Sequence, residues 1–396
     1  VSSTPPLSWR PFLWVASALC VGTMSTALAS PLYPLYQAAW QLSASMITII
    51  YVAYMGGVLA AFLFLGRLPD HIGPVKVLRT AMAGIFIGIA LSAVAPDAGW
   101  LLAGRIVIGV ASGLITTSAT AGLVELEPAS QPRRATLVAS TVSILGFGLG
   151  PLVAGVLAQF APHPLVTPYL LVIVLVALVL HALLKMETRP RAGGRLSLQP
   201  RFMLPAVAAR PRFALAAMGA FSAFALFSLY ASLSPSFIAG LLPWHGSAVS
   251  GAAIALILFC SASAQLLGRR LSAPASMRGG LALLAVSVVL LAAALHYRSG
   301  ALFISSDLIG GLGHGLAFMA ALNIANASAG GGERSGILAS FFTVGYIGTI
   351  VPILGVGFLA DRVGLDVAVV CFCAAFGLLM AAMLWQTRRL LPLRTA

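Results

Sequence analysis

Charge is what this chain has least of. Only 8% of its 396 residues are Asp, Glu, Lys or Arg, and the acidic residues number nine. A soluble globule of that length would lack the polar surface needed to cover itself. Lysine is almost missing: Lys76 and Lys185 are the two present, and neither follows a glycine, which excludes the phosphate-binding loop of an ATP-driven pump. An H-E-x-x-H metal motif is absent, and no two carboxylates stand at catalytic spacing within an apolar segment, so neither an enzyme nor a cofactor is expected. The four cysteines, Cys20, Cys260, Cys371 and Cys373, all fall in apolar stretches, where a thiol behaves as a small hydrophobe.

What is abundant is apolar surface, 60% of all positions, with a mean hydropathy of +1.02. A membrane-spanning helix needs about 20 apolar residues. Runs of that length recur at 11–37, 43–66, 75–95, 99–124, 134–160, 164–186, 212–240, 246–269, 276–296, 300–329, 335–360 and 365–386. The chain therefore reads as an all-α integral membrane protein with twelve transmembrane helices and the lipid bilayer as its solvent. A net charge of +14 would suggest nucleic acid in a soluble protein, but here the positions of the charges report topology and no nucleic acid partner is expected. Arg67, Lys76 and Arg79 follow span 2, Arg133 and Arg134 follow span 4, and Arg189, Arg191, Arg195, Arg201, Arg210 and Arg212 follow span 6. Arg269, Arg270 and Arg278 follow span 8, Arg334 precedes span 11, and Arg388, Arg389 and Arg394 follow span 12. Only Arg298 and Arg362 lie in the alternate loops, which places both termini in the cytoplasm by the positive-inside rule. The first span has no basic region or small-residue cleavage site and reads as a signal anchor rather than a cleaved signal peptide. Abundant Ala, Gly and Arg suggest a bacterial inner membrane.

Residues 187–211, rich in Arg, Pro and Gly, divide the chain into an N-terminal six-helix bundle (1–186) and a C-terminal one (212–396), with a cytoplasmic linker between them. The halves match at a fixed offset of 202: Arg105, Gly109 and Gly113 fall on Asp307, Gly311 and Gly315, and Gly66-Arg67 falls on Gly268-Arg269. Gly146 falls on Gly348, and Gly155-Val156-Leu157-Ala158 on Gly357-Phe358-Leu359-Ala360. Chance places glycines in register at one locus easily and at four with difficulty. A parallel repeat of this kind puts a substrate site between the halves near the bilayer midplane.

Three segments carry the chemistry. Gly66-Arg67-Leu68-Pro69-Asp70-His71-Ile72-Gly73, followed by Lys76, joins spans 2 and 3; its glycines allow a tight turn, and Asp70 suits the positive end of a neighbouring helix. Arg105-x3-Gly109-x3-Gly113 puts a guanidinium inside span 4, at an insertion cost on the order of 2.5–3.5 kcal/mol, so it must face the bundle interior and find a partner. Gly146-x3-Gly150-Pro151-x3-Gly155 gives span 5 a glycine seam for close packing and a proline kink. Together these residues resemble the major facilitator superfamily over nearly the whole chain. The resemblance implies two pseudo-symmetric six-helix bundles and alternating access. It makes Gly66, Asp70, Gly73 and Lys76 a cytoplasmic latch against the eleventh helix, with His71 and Pro74-Val75 departing from the usual basic residues. It implicates Arg105 in proton coupling, and it reads Gly146, Gly150, Pro151 and Gly155 as the motif that accompanies exporters, with Ala154 in place of a glycine. Glu125 and Glu127, facing Arg133 and Arg134, look like gate salt bridges.

Asp307 differs from every other carboxylate in lying within a span rather than at a span end or in a loop. Burial and neighbouring charge both act on a carboxyl's affinity for its proton, which is what a proton-coupling site requires. Its repeat mate Arg105 is a plausible partner, and His314, two helical turns along span 10, either titrates or donates one hydrogen bond. In the superfamily, helices 1, 4, 7 and 10 line the cavity. Thr26, Tyr33 and Tyr36 from span 1, Phe227 and Tyr230 from span 7 and Asn323 from span 10 would then suit an amphipathic organic molecule.

The resulting expectation is a monomeric secondary transporter, resembling the drug:proton antiporter branch, that exports small organic compounds against protons. The alternative is an uptake symporter or facilitator for a sugar or organic anion, with Arg105 binding the anion. A channel fits less well, because a twofold repeat with one buried charge of each sign suits alternating access better than an ion-lined pore.

Overall fold

The structure, a computed structural model, describes residues 9–129, 131–188, 199–200, 202–328 and 334–391. Arg189, Arg191, Arg195, Arg201, Glu333 and Arg394 lie outside the described residues, as does part of the 187–211 connection. All regular structure among the described residues is helical. The long helices are α1 (Trp9–Ala27), α2 (Ala44–Ala60), α3 (Pro74–Ala93), α4 (Ala98–Leu126), α5 (Pro132–Phe160) and α6 (Thr167–Leu184). They continue as α7 (Arg210–Ser232), α8 (Ser247–Gly268), α9 (Ala273–Tyr297), α10 (Gly300–Ala327), α11 (Arg334–Val363) and α12 (Leu365–Leu390). Among the described residues, twelve helical segments are long and apolar enough to cross a membrane, as the hydrophobic runs require.

Helix ends follow local chemistry. Asp97 caps α4 by accepting from the backbone N–H of Gly99 and Trp100, and Ser272 and Ser299 cap α9 and α10 in the same way. Gly73 and Gly364 hold φ at +94° and +88°, the left-handed region, and launch α3 and α12 directly. Two spans that read as continuous are broken. After α1 the chain passes through a 3-10 turn, Ser30–Leu32, into a short helix, Tyr33–Trp40; after α7 it passes through Ser234–Phe237 and a second 3-10 turn. The cause is proline: Pro31, Pro34 and Pro235 have no N–H to give and clash with the preceding turn.

The described chain forms two compact units, one comprising Val1–Ala29 and Ala53–Pro200, the other Ser30–Val52 and Arg201–Ala396. Within the first, α1 packs on α4 and α5, and α3 on α4 and α6. Within the second, α7 packs on α10 and α11, and α9 on α10 and α12. Adding six to each helix number of the first set yields the second, so the repeat seen in the glycines is a repeat of packing. The stretch 30–52 is held inside the second unit by side chains: Ser236 donates to Gln37 Oε1 (3.3 Å), and Asp361 at the end of α11 accepts from the N–H of Ser45 (3.3 Å) at the start of α2.

Close packing depends on glycine at the same places in both repeats. A Cβ on Gly113 of α4 would lie 3.0 Å from Val58 O, and one on its mate Gly315 of α10 would run into Ser261 O; a Cβ on Gly109 would run into Tyr54 O, and one on its mate Gly311 would lie 2.6 Å from Ile257 O. Adjacent glycines on α2 provide a control, since a Cβ at Gly57 would sit 2.7 Å from Ile106 O whereas Gly56 has nothing within 4 Å. Gly57→Ala is expected to destabilise the purified protein by roughly 1–3 kcal/mol through overpacking. Gly56→Ala is expected to be neutral or stabilising by up to about 1 kcal/mol. Thermal unfolding in detergent compares the two, and equal midpoints would refute the seam.

Candidate functional site

In the first unit Arg105, on α4, is buried within a membrane-spanning helix and 1% exposed. Its Nη1 donates to the backbone carbonyl of Thr26 at 2.7 Å, and its guanidinium lies 4.7 Å from the centre of the Tyr54 ring. Thr26 is in the last turn of α1, whose final carbonyls have no partner of their own once the chain breaks toward Pro31. A cation there satisfies one of them and faces the negative end of the helix dipole. Arg105 is thus a helix-end cap as well as a buried charge, while its Nε has no hydrogen-bond partner.

In the second unit Asp307, on α10, is fully buried and neither carboxyl oxygen accepts a hydrogen bond from any described residue. Its neighbour Ser306 is bonded to saturation: Ser306 Oγ donates to Ser287 O (2.7 Å), Ser287 Oγ returns a bond to Ser306 O (2.9 Å), and Tyr230 OH meets Ser306 Oγ at 2.5 Å. These bonds tie α7, α9 and α10 together beside Asp307 and leave no donor for it. An ionised carboxyl in such a place is expensive.

Seven residues further along α10 is His314, half-buried, with Nδ1 at 2.8 Å from Ser261 Oγ of α8. The rings of Phe224 and Phe227 of α7 and Phe318 of α10 lie 6.3, 5.9 and 6.2 Å from the imidazole, and Gln265 Nε2 donates to Ser261 Oγ (3.3 Å).

The other expected residues are dispersed. Thr26, Tyr33, Tyr36 and Tyr230 are buried, Tyr36 against Trp40 at 4.7 Å and Tyr230 in the serine cluster. Asn323 is exposed at the far end of α10, beside Arg212 and Ser328 in an open groove of about 420 Å³. Gly66 ends the π-helical turn Ala61–Leu65 that follows α2, Asp70 and Lys76 are exposed on either side of Gly73, and the Gly73 N–H donates to Pro69 O (3.0 Å). Glu125 is exposed, whereas Arg134 stands 3.7 Å from buried Glu127 and 4.4 Å over the Trp9 ring. Gly146 and Gly150 of α5 lie against the α1 carbonyls of Cys20 and Met24, with Pro151 and Gly155 buried beyond them.

Sequence reasoning passed over the residues that bind these helices to one another. Ser261, Ser287 and Ser306 were visible only as hydroxyls in apolar spans. Arg79 and Arg278, counted as loop charges, donate to the carbonyl ends of α6 and α12: Arg79 to Leu183 O and Met186 O, Arg278 to Thr387 O and Leu391 O.

Among the described residues, twelve helices long and apolar enough to cross a membrane fall in two units with the same internal packing, which is the architecture of a multi-pass membrane protein. The model of the Major Facilitator Superfamily matches residues 15–352, and the chain belongs to that superfamily. A triacylglyceride transporter of Mycobacteroides abscessus is 36% identical over 108 residues, 27% of this chain and 21% of that protein, so the matched stretch spans about a fifth of its length. Among solved structures, a bacterial homologue of the human lysosomal transporter Spinster, inward-facing and occupied, superposes with a TM-score of 0.76 at 14% identity, covering 98% of each chain. A proton-dependent oligopeptide transporter superposes with a TM-score of 0.73 at 12% identity, covering 97% of this chain and 99% of that one. At these identities the structural likeness is one of fold.

Arg105→Ala removes a charged hydrogen bond and strands the Thr26 carbonyl, so it is expected to cost roughly 1.5–3 kcal/mol of stability. An unchanged unfolding midpoint for that variant would show that α1 does not need its cap.

Proposed function

We propose that this transporter exports small amphipathic organic compounds in exchange for protons, by alternating access, as in the drug:proton antiporter branch. The observation that carries this reading is Asp307, a buried carboxyl within a membrane helix that no described donor or cation satisfies. Such a group has to lose its charge when closed off and regain it when opened to water, which couples its proton to the conformational cycle. Arg105 and His314 complete the ionisable set. The seam of Gly146 and Gly150 on α1, with Pro151 inside the same helix, supports export as the direction. One charge crossing 100 mV releases about 2.3 kcal/mol, enough to drive uphill movement.

In this reading the bundles 1–186 and 212–396 are the moving bodies and 187–211 is their linker. Thr26, Tyr33, Tyr36, Phe227, Tyr230 and Asn323 serve the substrate path. Gly66, Asp70, Gly73 and Lys76, with Glu125 and Arg134, latch the cytoplasmic side. The protein works as a monomer in a bacterial inner membrane with both termini cytoplasmic, which the arginine-rich alternate loops support. A second reading, export of a neutral lipid, is favoured by the 36% identical stretch shared with the triacylglyceride transporter.

Proteoliposomes with an acidic lumen test the coupling. For one proton exchanged, wild-type protein should concentrate a fluorescent amphipathic compound inside roughly tenfold per unit of pH difference. Asp307→Asn should reduce this to equilibration while leaving exchange of labelled for unlabelled compound intact. Gradient-driven accumulation by the Asn variant at the wild-type level would remove Asp307 from the mechanism.

A further inference from the structure

One end of the second unit, where α7 and α9 begin and α10 and α12 finish, is crowded with arginine. Arg278 is taken up by the carbonyls of α12, Arg210 Nε donates to Pro205 O (3.3 Å), and the Arg389 guanidinium lies 3.8 Å from the centre of the Trp385 ring. Arg212 is exposed and bonds no described residue. It lines the open groove of about 420 Å³ with Asn323, whose amide also has no described partner, and with Ala209, Pro274, Ile324 and Leu391. Among the described residues no carboxylate shares this end. Asp307 is buried within α10, and Asp361 and Asp366 stand where α11 stops and α12 starts. The 26 residues of α12 put them roughly 40 Å from the groove. Two free donors, one of them a cation, therefore face an open space with no anion of the protein to satisfy them.

The chain leading into the groove is apolar on its outward side. Before the turn Val207–Ala209, residues 202–206 have no helical structure and run along α11. Met203 N–H donates to Ser340 Oγ (3.0 Å), and the same hydroxyl oxygen lies 3.0 Å from Met203 O. The Met203 side chain fills the notch left by Gly336, where a Cβ would lie 2.6 Å from Met203 Cγ. With Met203 held inward, its neighbours Phe202 and Leu204 turn away from the protein, 55% and 61% exposed, and Val207 is 72% exposed. Three large apolar side chains are thus held outward at the point where a membrane span, Val207–Ser232, begins. A fixed apolar edge beside cations is the pattern of a segment lying in the interface between headgroups and acyl chains.

From this arrangement we propose that the groove holds the phosphate of an anionic phospholipid. The Arg212 guanidinium and the Asn323 amide donate to phosphate oxygens, and the upper acyl chains lie against Phe202, Leu204 and Val207. A planar guanidinium offers two parallel N–H donors that match a pair of phosphate oxygens. A soluble phosphate would use these donors alone and leave the three apolar side chains in water, whereas a phospholipid uses both. The absence of a described carboxylate sets the headgroup preference: a zwitterionic lipid would bring an ammonium group with no described anion to meet it. The inference is independent of the export reading, apart from giving Asn323 a headgroup rather than a transported compound to meet.

Dioleoyl phosphatidylglycerol and dioleoyl phosphatidylcholine share their chains and differ in net charge. Titrated into the purified full chain in detergent and counted by native mass spectrometry, phosphatidylglycerol should bind saturably and roughly fivefold more tightly. Arg212→Gln should bring the two lipids to parity, and Arg212→Lys should keep most of the preference. Arg388→Gln removes the same charge from the same end without touching the groove, so it should leave the preference in place. Arg212 and Arg388 are exposed and without described partners, so both variants should unfold at the wild-type midpoint. Phe202→Ser combined with Leu204→Ser should weaken both lipids roughly tenfold while preserving their ratio. Parity in the wild type, or an equal loss in Arg212→Gln and Arg388→Gln, would overturn the groove as the site. Displacement of phosphatidylglycerol by excess inorganic phosphate at constant ionic strength, or unchanged lipid affinity in the Phe202-Leu204 double variant, would overturn the phospholipid as its occupant.

Discussion

Inside a bilayer, helices gain little from hiding apolar surface from one another, because lipid is as apolar as they are, and no water is present to satisfy a stray backbone group. Two demands follow for this chain. Helices must touch at the backbone to hold together, and every carbonyl freed at a break must find a donor from within the protein. The glycine seams answer the first. Gly109 and Gly113 let α4 rest on α2, Gly311 and Gly315 let α10 rest on α8, and a Cβ at any of these would run into the facing helix. Arginine answers the second: Arg105, Arg79 and Arg278 each reach a neighbouring helix and donate to its carbonyl end.

This economy explains why so little charge suffices. Several of the 23 cations have structural duties at helix ends, which a count of loop charges does not disclose. Hydroxyls are used in the same spirit. Ser112, Ser228 and Ser232 return their protons to carbonyls one turn back in their own helices, so that serine rides within a span at small cost. Where hydroxyls instead bridge helices, at Ser287, Ser306 and Tyr230, they lock the surroundings of Asp307 and leave the carboxyl itself without a partner. Arg105 Nε, Ser118 Oγ, Ser276 Oγ and Arg278 Nε are also buried without a hydrogen-bond partner, and Asp307 differs from them in that both of its carboxyl oxygens lack one.

Much of the fold was legible before any coordinates. A period of about 20 apolar residues marks each span, and a recurring offset of 202 marks the duplication, because both are one-dimensional consequences of bilayer thickness and of packing repeated in two bundles. The breaks after α1 and α7 were less legible. Hydropathy sees Pro31, Pro34 and Pro235 as residues in an apolar run, whereas backbone geometry sees missing donors. Of the candidate residues, Asp307, Arg105 and His314 stood out through their scarcity in apolar surroundings. Ser261, Gln265, Ser287 and Ser306 did not, since a serine or glutamine in a span has no distinguishing pattern until its partner on another helix is known.

The sequence by itself therefore determined the solvent, the number of spans, the repeat and the identity of the few ionisable groups placed in lipid, all of which depend on composition and spacing along one line. Only the tertiary structure decided that Arg105 caps α1 through Thr26, that Glu127 rather than a more exposed glutamate stands nearest Arg134, and that His314 meets Ser261 through Nδ1 beside the rings of Phe224 and Phe318. The arginine and histidine contacts join residues 79 and 53 positions apart. They exist because helix packing brings particular faces together, and no local pattern in the chain encodes which face meets which.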